Sequence, residues 1–463
     1  MPKRFVVAFA VFCLCAAHAS AQYVEYPQNL GKVQLFTTPD LPSWMTLDFA
    51  LRGRTEDQSA DNFQSGNAQL YELTRVRGAM EIRPTDWLTG YAQFQDARAL
   101  ALPHKYVAPD MLDTYNLRQA YLEYHFKPES VPVSFFAGRQ ELKFGDQRLV
   151  GISDWTNVSR TFDGFDARIG DKDRIDIFSA SVVNIHPYSF DMHSGGLNFH
   201  GAYASINNWL PRTTISPFVF LRAKRYVVSQ QGIGGTETEF TPGVSFSNNA
   251  PHSIDYTVEG VLQRGSYSND LIHAGAGYAK LGYIARFIPW SPRLQGEYDY
   301  ATGNPHTNPD RISTFDQLYP SSHDVFGLVD IFGWQNIKQS RINLSLKPRE
   351  HLTLLIQQGF LREASTKDGV YNSVGAEFIK PPTGGFTNNY IGHEFDASLK
   401  YVFHEYVVVN AGVGHFSPGI VMVEGGLGAP QTLSYLAFTY RFSVSKTKPP
   451  KNQNTSSPEV PEE

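Results

Sequence analysis

"SRINLSLK", residues 340–347, alternates without a break. Ile342, Leu344 and Leu346 fall on one side of an extended chain, and Arg341, Asn343, Ser345 and Lys347 on the other, because successive strand side chains point to opposite faces. "GHEFDASLKYVF" at 392–403 repeats the pattern, with Phe395, Ala397, Leu399, Tyr401 and Phe403 opposite Glu394, Asp396, Ser398 and Lys400. "MTLDFALRGR" at 45–54 sets Met45, Leu47, Phe49 and Leu51 against Thr46, Asp48, Ala50, Arg52 and Arg54. In a soluble sandwich the polar face meets bulk water. In a membrane barrel it meets the lumen and the apolar face meets lipid.

The same period covers the chain. Strands are expected near 44–54, 70–83, 87–98, 114–126, 132–144, 159–169, 173–186, 196–208, 213–226, 236–248, 252–265, 270–288, 291–302, 338–348, 351–364, 389–403, 405–417 and 431–443. That makes about 18, an even number, as bacterial outer-membrane barrels require. Alternate connections are short and built from turn residues: "RPTD", "GDKD", "WLPR", "NNAPH", "PWSP", "KPRE", "HE". The intervening ones, at 55–69, 99–113, 145–158, 187–195, 227–235, 303–337 and 365–388, are mostly longer and more polar. Short periplasmic turns alternating with long external loops is the membrane-barrel arrangement. The expected fold class is therefore all-β: a transmembrane antiparallel up-and-down barrel.

Composition agrees. Aromatic residues make up 13% of the chain, with 24 Tyr and 32 Phe, enough to furnish girdles at both membrane interfaces. No apolar run after the N-terminus reaches the roughly 20 residues of a spanning helix. The start reads as a secretory signal peptide over 1–21: Lys3 and Arg4, an apolar core from Phe5 to Ala17, then Ala19-Ser20-Ala21. Both cysteines, Cys13 and Cys15, fall inside it, so the mature chain has no disulfide or thiolate chemistry. A periplasmic extension is expected over 22–43, the barrel over 44–443 and a disordered tail over 444–463, rich in Pro, Lys, Glu and Ser. The last strand, "TLSYLAFTYRF", sets Leu436, Phe438, Tyr440 and Phe442 on one face, a pattern suited to recognition by the barrel assembly machinery. The net charge of −5 gives no sign of nucleic-acid binding.

Cations concentrate in "GRQELKFGDQRLVGISDWTNVSRTFDGF", Gly138–Phe165. Within it, "AGRQELKFGDQRLVG" (137–151) and "DWTNVSRTFDGF" (154–165) resemble the alginate export family of outer-membrane proteins. "TRVRGAMEIRPTDWLTGYAQFQDAR" (74–98) and "LRQAYLEY" (117–124) support the likeness. The resemblance implies an 18-stranded barrel with a basic constriction passing an anionic polysaccharide. A monomer among outer-membrane lipids, with a periplasmic export partner, is the expected arrangement. A uronate polymer carries one carboxylate per sugar, and Arg presents a planar fork that grips carboxylate and keeps its charge. Rings of such cations are how anion pores select.

By strand parity Arg52, Arg54, Arg75, Arg77, Arg83, Arg139, Lys143, Arg168, Arg222, Arg286 and Arg341 face the lumen. Arg148 and Arg160 lie in or beside the 145–158 connection, expected to fold inward and narrow the pore. Glu81, Asp96, Glu123, Glu141, Asp163 and Asp166 would keep each site weak enough for release. The rival account is that lumenal Arg only neutralises lumenal carboxylates. The long periplasmic loop that plugs the family's pore between strands sixteen and seventeen is reduced here to "FHEY" (403–406). Closure then falls to the inward loop or to the connections at 303–337 and 365–388, or the pore stays open.

Uptake of small anions or organic acids is the alternative within transport; an outer-membrane enzyme or an adhesin are alternatives outside it. No H-E-x-x-H, G-x-S-x-G or P-loop is present, so no metal, cofactor or catalytic residue is expected. "EDQSADNFQSGN" (56–67) holds calcium-type ligands, with a plain solvated loop as the simpler account.

Overall fold

The computed structural model describes residues 41–445 except 128–130, 249–252, 307, 324 and 404–405. The expected signal peptide, nearly all of the N-terminal extension and the tail beyond Ser445 lie outside the described residues, as do His404 and Glu405 of the short turn.

Eighteen antiparallel strands form one wall. They are β1 Met45–Ser59, β2 Gln69–Thr85, β3 Leu88–Leu100, β4 Asp113–Phe126, β5 Val133–Gln140, β6 Phe162–Gly170, β7 Arg174–Asn184, β8 Leu197–Leu210 and β9 Thr213–Val228. The second half comprises β10 Gly234–Asn248, β11 Ile254–Tyr267, β12 Asp270–Ile284, β13 Arg293–Ala301, β14 Ile337–Arg349, β15 Leu352–Glu363, β16 Tyr390–Phe403, β17 Val407–Pro418 and β18 Gln431–Ser445. Each pairs with its neighbour in sequence, and β18 returns to β1 with Phe442 opposite Phe49, closing the barrel. Closure leaves no unpaired edge, the condition for a sheet to live in lipid. Among the described residues no helix is long and apolar enough to cross a membrane.

The alternation sorts the faces as expected. On β1 the exposed Phe49 and Leu51 point out, while the buried Arg52, Arg54 and Glu56 point in. Register carries the sorting onward: Arg52 faces Arg75 on β2, and Arg77 faces Gln95 on β3. The turns at 86–87, 171–173, 211–212 and 350–351 lie at one end, and the connections 141–161, 302–336 and 364–389 at the other. The long-loop end is external. One external connection breaks the sorting: β11 and β12 are joined by Ser268 and Asn269 alone.

Several strand ends differ from expectation, and β1 runs on to Ser59 rather than 54. β5 stops at Gln140 rather than 144 and β6 starts at Phe162 rather than 159, because 141–161 leaves the wall and enters the lumen. The gap above these two short strands is covered by 185–193, which leaves β7 with Val183 paired to His193 and reaches β4, where Thr114 donates its backbone N–H to Pro187 O at 3.1 Å. β12 ends at Ile284, so Arg286 lies exposed in a periplasmic turn and not on the lumen face.

A second correction concerns the interior. The lumen was expected to be polar, yet Phe162, Phe178, Phe199, Phe218 and Phe220 point inward from β6–β9. They pack with Leu149 and Val150 of the inward loop and Tyr319 of the 302–336 connection. Tyr319 meets Phe199 edge-on at 4.9 Å. On this side the external half of the barrel has an apolar core, formed because the loops bring their own apolar residues inside.

Candidate functional site

The lumen is electrically two-sided. Arg52 and Arg54 from β1, and Arg75 and Arg77 from β2, line one wall. Arg118 joins them through a β-bulge: the β3–β4 register slips between Gln93 and Phe94, leaving Arg118 as the extra residue. It donates to Gln93 Oε1 at 2.7 Å and to Glu141. Across the lumen Glu239, Glu259, Glu297 and Asp299 line β10, β11 and β13, with Arg222 and Arg341 among them.

The inward loop at 141–161 spans these walls with complementary charges. Asp154 meets the arginine wall: its carboxylate accepts from Arg77 Nη1 at 3.1 Å and Arg75 Nη2 at 3.2 Å. Arg52 donates to the backbone carbonyls of Asp154 at 2.7 Å and Thr156 at 2.9 Å. Ser159 Oγ donates to Asp154 Oδ1 at 2.6 Å. Asn157 is anchored by its amide, which donates to the carbonyls of Thr74, Arg98 and Met111 at 3.0–3.1 Å. Six residues before Asp154, Arg148 meets the acidic wall, donating to Asp299 Oδ1 at 2.5 Å and to Glu297. Its guanidinium also lies 3.9 Å from the centre of the Tyr278 ring. Lys280 Nζ adds an ion pair to Asp146 at 2.6 Å.

Trp155 ties the loop to a second one. Arg54 sits 3.8 Å over its indole and donates to its backbone carbonyl. The indole stacks on His323 of the 302–336 connection, centroids 3.6 Å apart and planes 5° from parallel. Arg54, Tyr71, Asp110, Trp155, Asn157 and Asp330 line a cavity of 140 Å³ beside the arginine wall.

Electrostatics follow geometry. Burial opposes the Asp154 charge, but the guanidinium groups of Arg75, Arg77 and Arg52 overcome it and hold the carboxyl well below the usual range. Burial pushes Arg160 down to about 10, offset in part by Tyr319 and Asp110. Burial, aided by nearby Arg54, pushes the His323 imidazole well below its ordinary value, so it is neutral.

The residues singled out in the sequence separate into groups. Arg52, Arg75 and Arg77 converge on Asp154, and Arg148 and Arg341 share Glu297, the latter pair at 2.7 Å. Arg160 donates to the carbonyls of Gly151, Tyr319 and Pro320, a structural brace between loops. Arg168 and Asp166 pair at 2.8 Å nearer the periplasmic end of β6, beside Asp176. Glu141 answers Arg118, and Lys143 is exposed at the root of the inward loop. Arg222 binds Glu237 at 2.6 Å and Asp316 at 2.6 Å. Arg83 pairs with Glu81 at 2.9 Å.

Arg139 is a correction to the parity assignment. Ser134, Phe136 and Gln140 face inward on β5, so Arg139 shares the outer face with the exposed Phe135. It pairs there with Asp163 at 2.7 Å and donates to Asp191 O at 2.9 Å, holding the loop that covers the short strands. Asp96 is likewise outside, paired with Arg98 at 2.6 Å. Glu56 faces the lumen, accepting from Arg54 and Tyr71 at 2.5 Å each, so the 56–67 stretch is divided between wall and loop.

Sequence reading missed Asp154, Asn157, Arg118, Glu297 and Asp299 as site residues. The alternation of "GEYDYA" (296–301) marks Glu297 and Asp299 as sharing one face. Nothing local marks a bulge at Arg118 or the partner that Asp154 selects.

The alginate export family model matches residues 43–427. A search of curated proteins finds no match. Among solved structures, OccAB4 of Acinetobacter baumannii superposes with a TM-score of 0.59 at 11% identity, covering 88% of this chain and 100% of that one. The outer membrane protein opdK of Pseudomonas aeruginosa gives 0.58 at 11% identity, over 86% and 99%. OpdK determined with vanillate gives 0.55 at 10% identity, over 86% and 99%. At these identities the likeness shows the fold. Barrel and family together make this a channel of the bacterial outer membrane.

Proposed function

This chain belongs to the alginate export family, and we propose that it passes an anionic polysaccharide bearing a carboxylate on successive sugars outward across the outer membrane. One observation carries the reading: three guanidinium groups, Arg52, Arg75 and Arg77, converge on Asp154, through its carboxylate and its backbone carbonyl. The inward loop thereby holds in place what a uronate would offer. A passing carboxylate replaces Asp154 on the same donors, so the exchange swaps one charge-assisted set of hydrogen bonds for a similar one. The loop moves aside toward the acidic wall, where Arg148 stays anchored. Conduction needs sites that attract yet release, and competition from Asp154 supplies the release.

Planar-bilayer recording tests this. Reversal potentials in a salt gradient should show anion preference, and uronate oligomers added from the periplasmic side should block the current. Cation preference, or indifference to the oligomers, would end the proposal. Uptake of small organic acids is the second reading, favoured by the fold shared with OpdK, which was determined with the carboxylate vanillate. Block by monomeric carboxylates as strong as by oligomers would favour it.

A further inference from the structure

On the outer face, at the external end of β13–β16, a row of side chains runs Tyr300, Lys338, Arg362, Tyr390. Tyr300 stands opposite Lys338, Lys338 opposite Arg362, and Arg362 opposite Tyr390. Two like charges directly opposite across antiparallel strands repel. Elsewhere on this rim Arg98 has Asp96 at 2.6 Å and Arg139 has Asp163 at 2.7 Å, while Arg264 donates to the backbone carbonyls of Gln263 at 2.7 Å and Ala274 at 3.1 Å. Among the described residues neither Lys338 nor Arg362 has a carboxylate within ion-pair distance. Arg362 donates to the Asn389 side chain at 3.2 Å and lies 5.2 Å from the Tyr390 ring centre, which orients its fork along the row. The Tyr390 hydroxyl hydrogen-bonds His393 Nδ1 at 2.9 Å.

Position says what the row meets. Lys338 is the second residue of β14 and Arg362 the second-last of β15, both next to long external connections. They therefore stand at the headgroup level of the outer leaflet. Below them, toward the membrane centre, the same face carries the exposed Ile342, Phe360, Ile356 and Phe395. Cations above an apolar slope match an amphiphile with an anionic head and acyl chains.

We infer that Lys338 and Arg362, with Tyr390 and His393 beside them, form a binding site for the phosphate group of an outer-leaflet glycolipid of the lipid A type, its acyl chains lying on Ile342, Phe360 and Phe395. The phosphate sits between the two cations and removes their repulsion; the Arg fork donates to two of its oxygens. The phenol and imidazole supply hydrogen bonds to the sugar.

The test uses the full chain folded in detergent, with bisphosphorylated lipid A as the probe and native mass spectrometry plus thermal unfolding as readouts. Wild type should retain one glycolipid and unfold at a higher temperature in its presence. Each of Lys338→Gln and Arg362→Gln should weaken retention about 5-fold, the value of one basic residue at a charged lipid surface. Arg98→Gln, on the opposite sector, should bind as wild type. Equal binding of dephosphorylated lipid A to the unaltered protein would overturn the proposal without recourse to any variant. So would an equal thermal shift from inorganic phosphate alone, which would make the pair a free-anion site.

Discussion

Arg148 and Asp299 meet at 2.5 Å across the lumen although 151 residues separate them in the chain. Six residues after Arg148, Asp154 is bound to Arg77 on the facing wall. The inward loop is thus a dipolar bridge whose two ends read the opposite charges of a two-sided barrel. Removing either end leaves buried charges uncompensated, and the predictions below rest on that.

Arg148→Leu should destabilise the barrel by about 3–5 kcal/mol, because Glu297 and Asp299 lose a buried cation. Thermal unfolding, followed by the migration shift between folded and heated barrel on gels, measures it. Wild-type stability in this variant would mean that Arg341 and Lys280 alone suffice for the acidic wall.

Asp154→Asn should release the loop from the arginine wall and expose Arg52, Arg75 and Arg77. Single-channel traces should show more frequent opening. Half-block by uronate oligomers should fall to a lower concentration, by about 10-fold if the lost competition amounts to ~1.4 kcal/mol. Unchanged block would separate Asp154 from the permeation path.

Arg139→Gln should leave ion selectivity unchanged, since Arg139 lies on the outer face with Asp163. Arg77→Gln and Arg118→Gln should each move the reversal potential toward zero. A selectivity loss in Arg139→Gln equal to that in Arg77→Gln would contradict the assigned faces.

His323 links stability to mild acid. Burial keeps its folded-state proton affinity well below the ordinary 6.5, so the unfolded chain takes up the proton first. Stability from this residue is full above about pH 7 and declines as pH falls through about 6.5 toward the folded-state value. Asp154 acts elsewhere: its depressed carboxyl contributes fully above about pH 4 and is lost only below that. The unfolding temperature of wild type should therefore drop between pH 7 and 5 relative to that of His323→Phe, which keeps the stacking on Trp155. Parallel profiles would remove His323 as the cause.

Much of the fold was legible because period-two alternation has one reading once the faces must meet lipid and lumen. The strand count, the sorted loops and the lumenal placement of Arg52, Arg75, Arg77 and Arg341 all follow from counting residues. Counting failed at Lys143, which lies beyond the strand end at Gln140, and at Arg139, which shares the outer face of β5 with Phe135. It failed at Arg118, because a bulge shifts parity by one and leaves no local mark. The apolar packing of Phe178, Phe199 and Phe220 was also missed, since an inward Phe is meaningless until a loop arrives to cover it.

The sequence by itself determined that this chain closes into an even-stranded barrel with cations on inward positions, because alternation and turn chemistry are local. Only the tertiary structure decided which cations act together. Asp154 finds Arg52, Arg75 and Arg77, and Arg148 finds Glu297 and Asp299, through contacts between strands and a loop far apart in the chain. The strength of such pairs depends on burial and distance, neither of which is written in the order of residues.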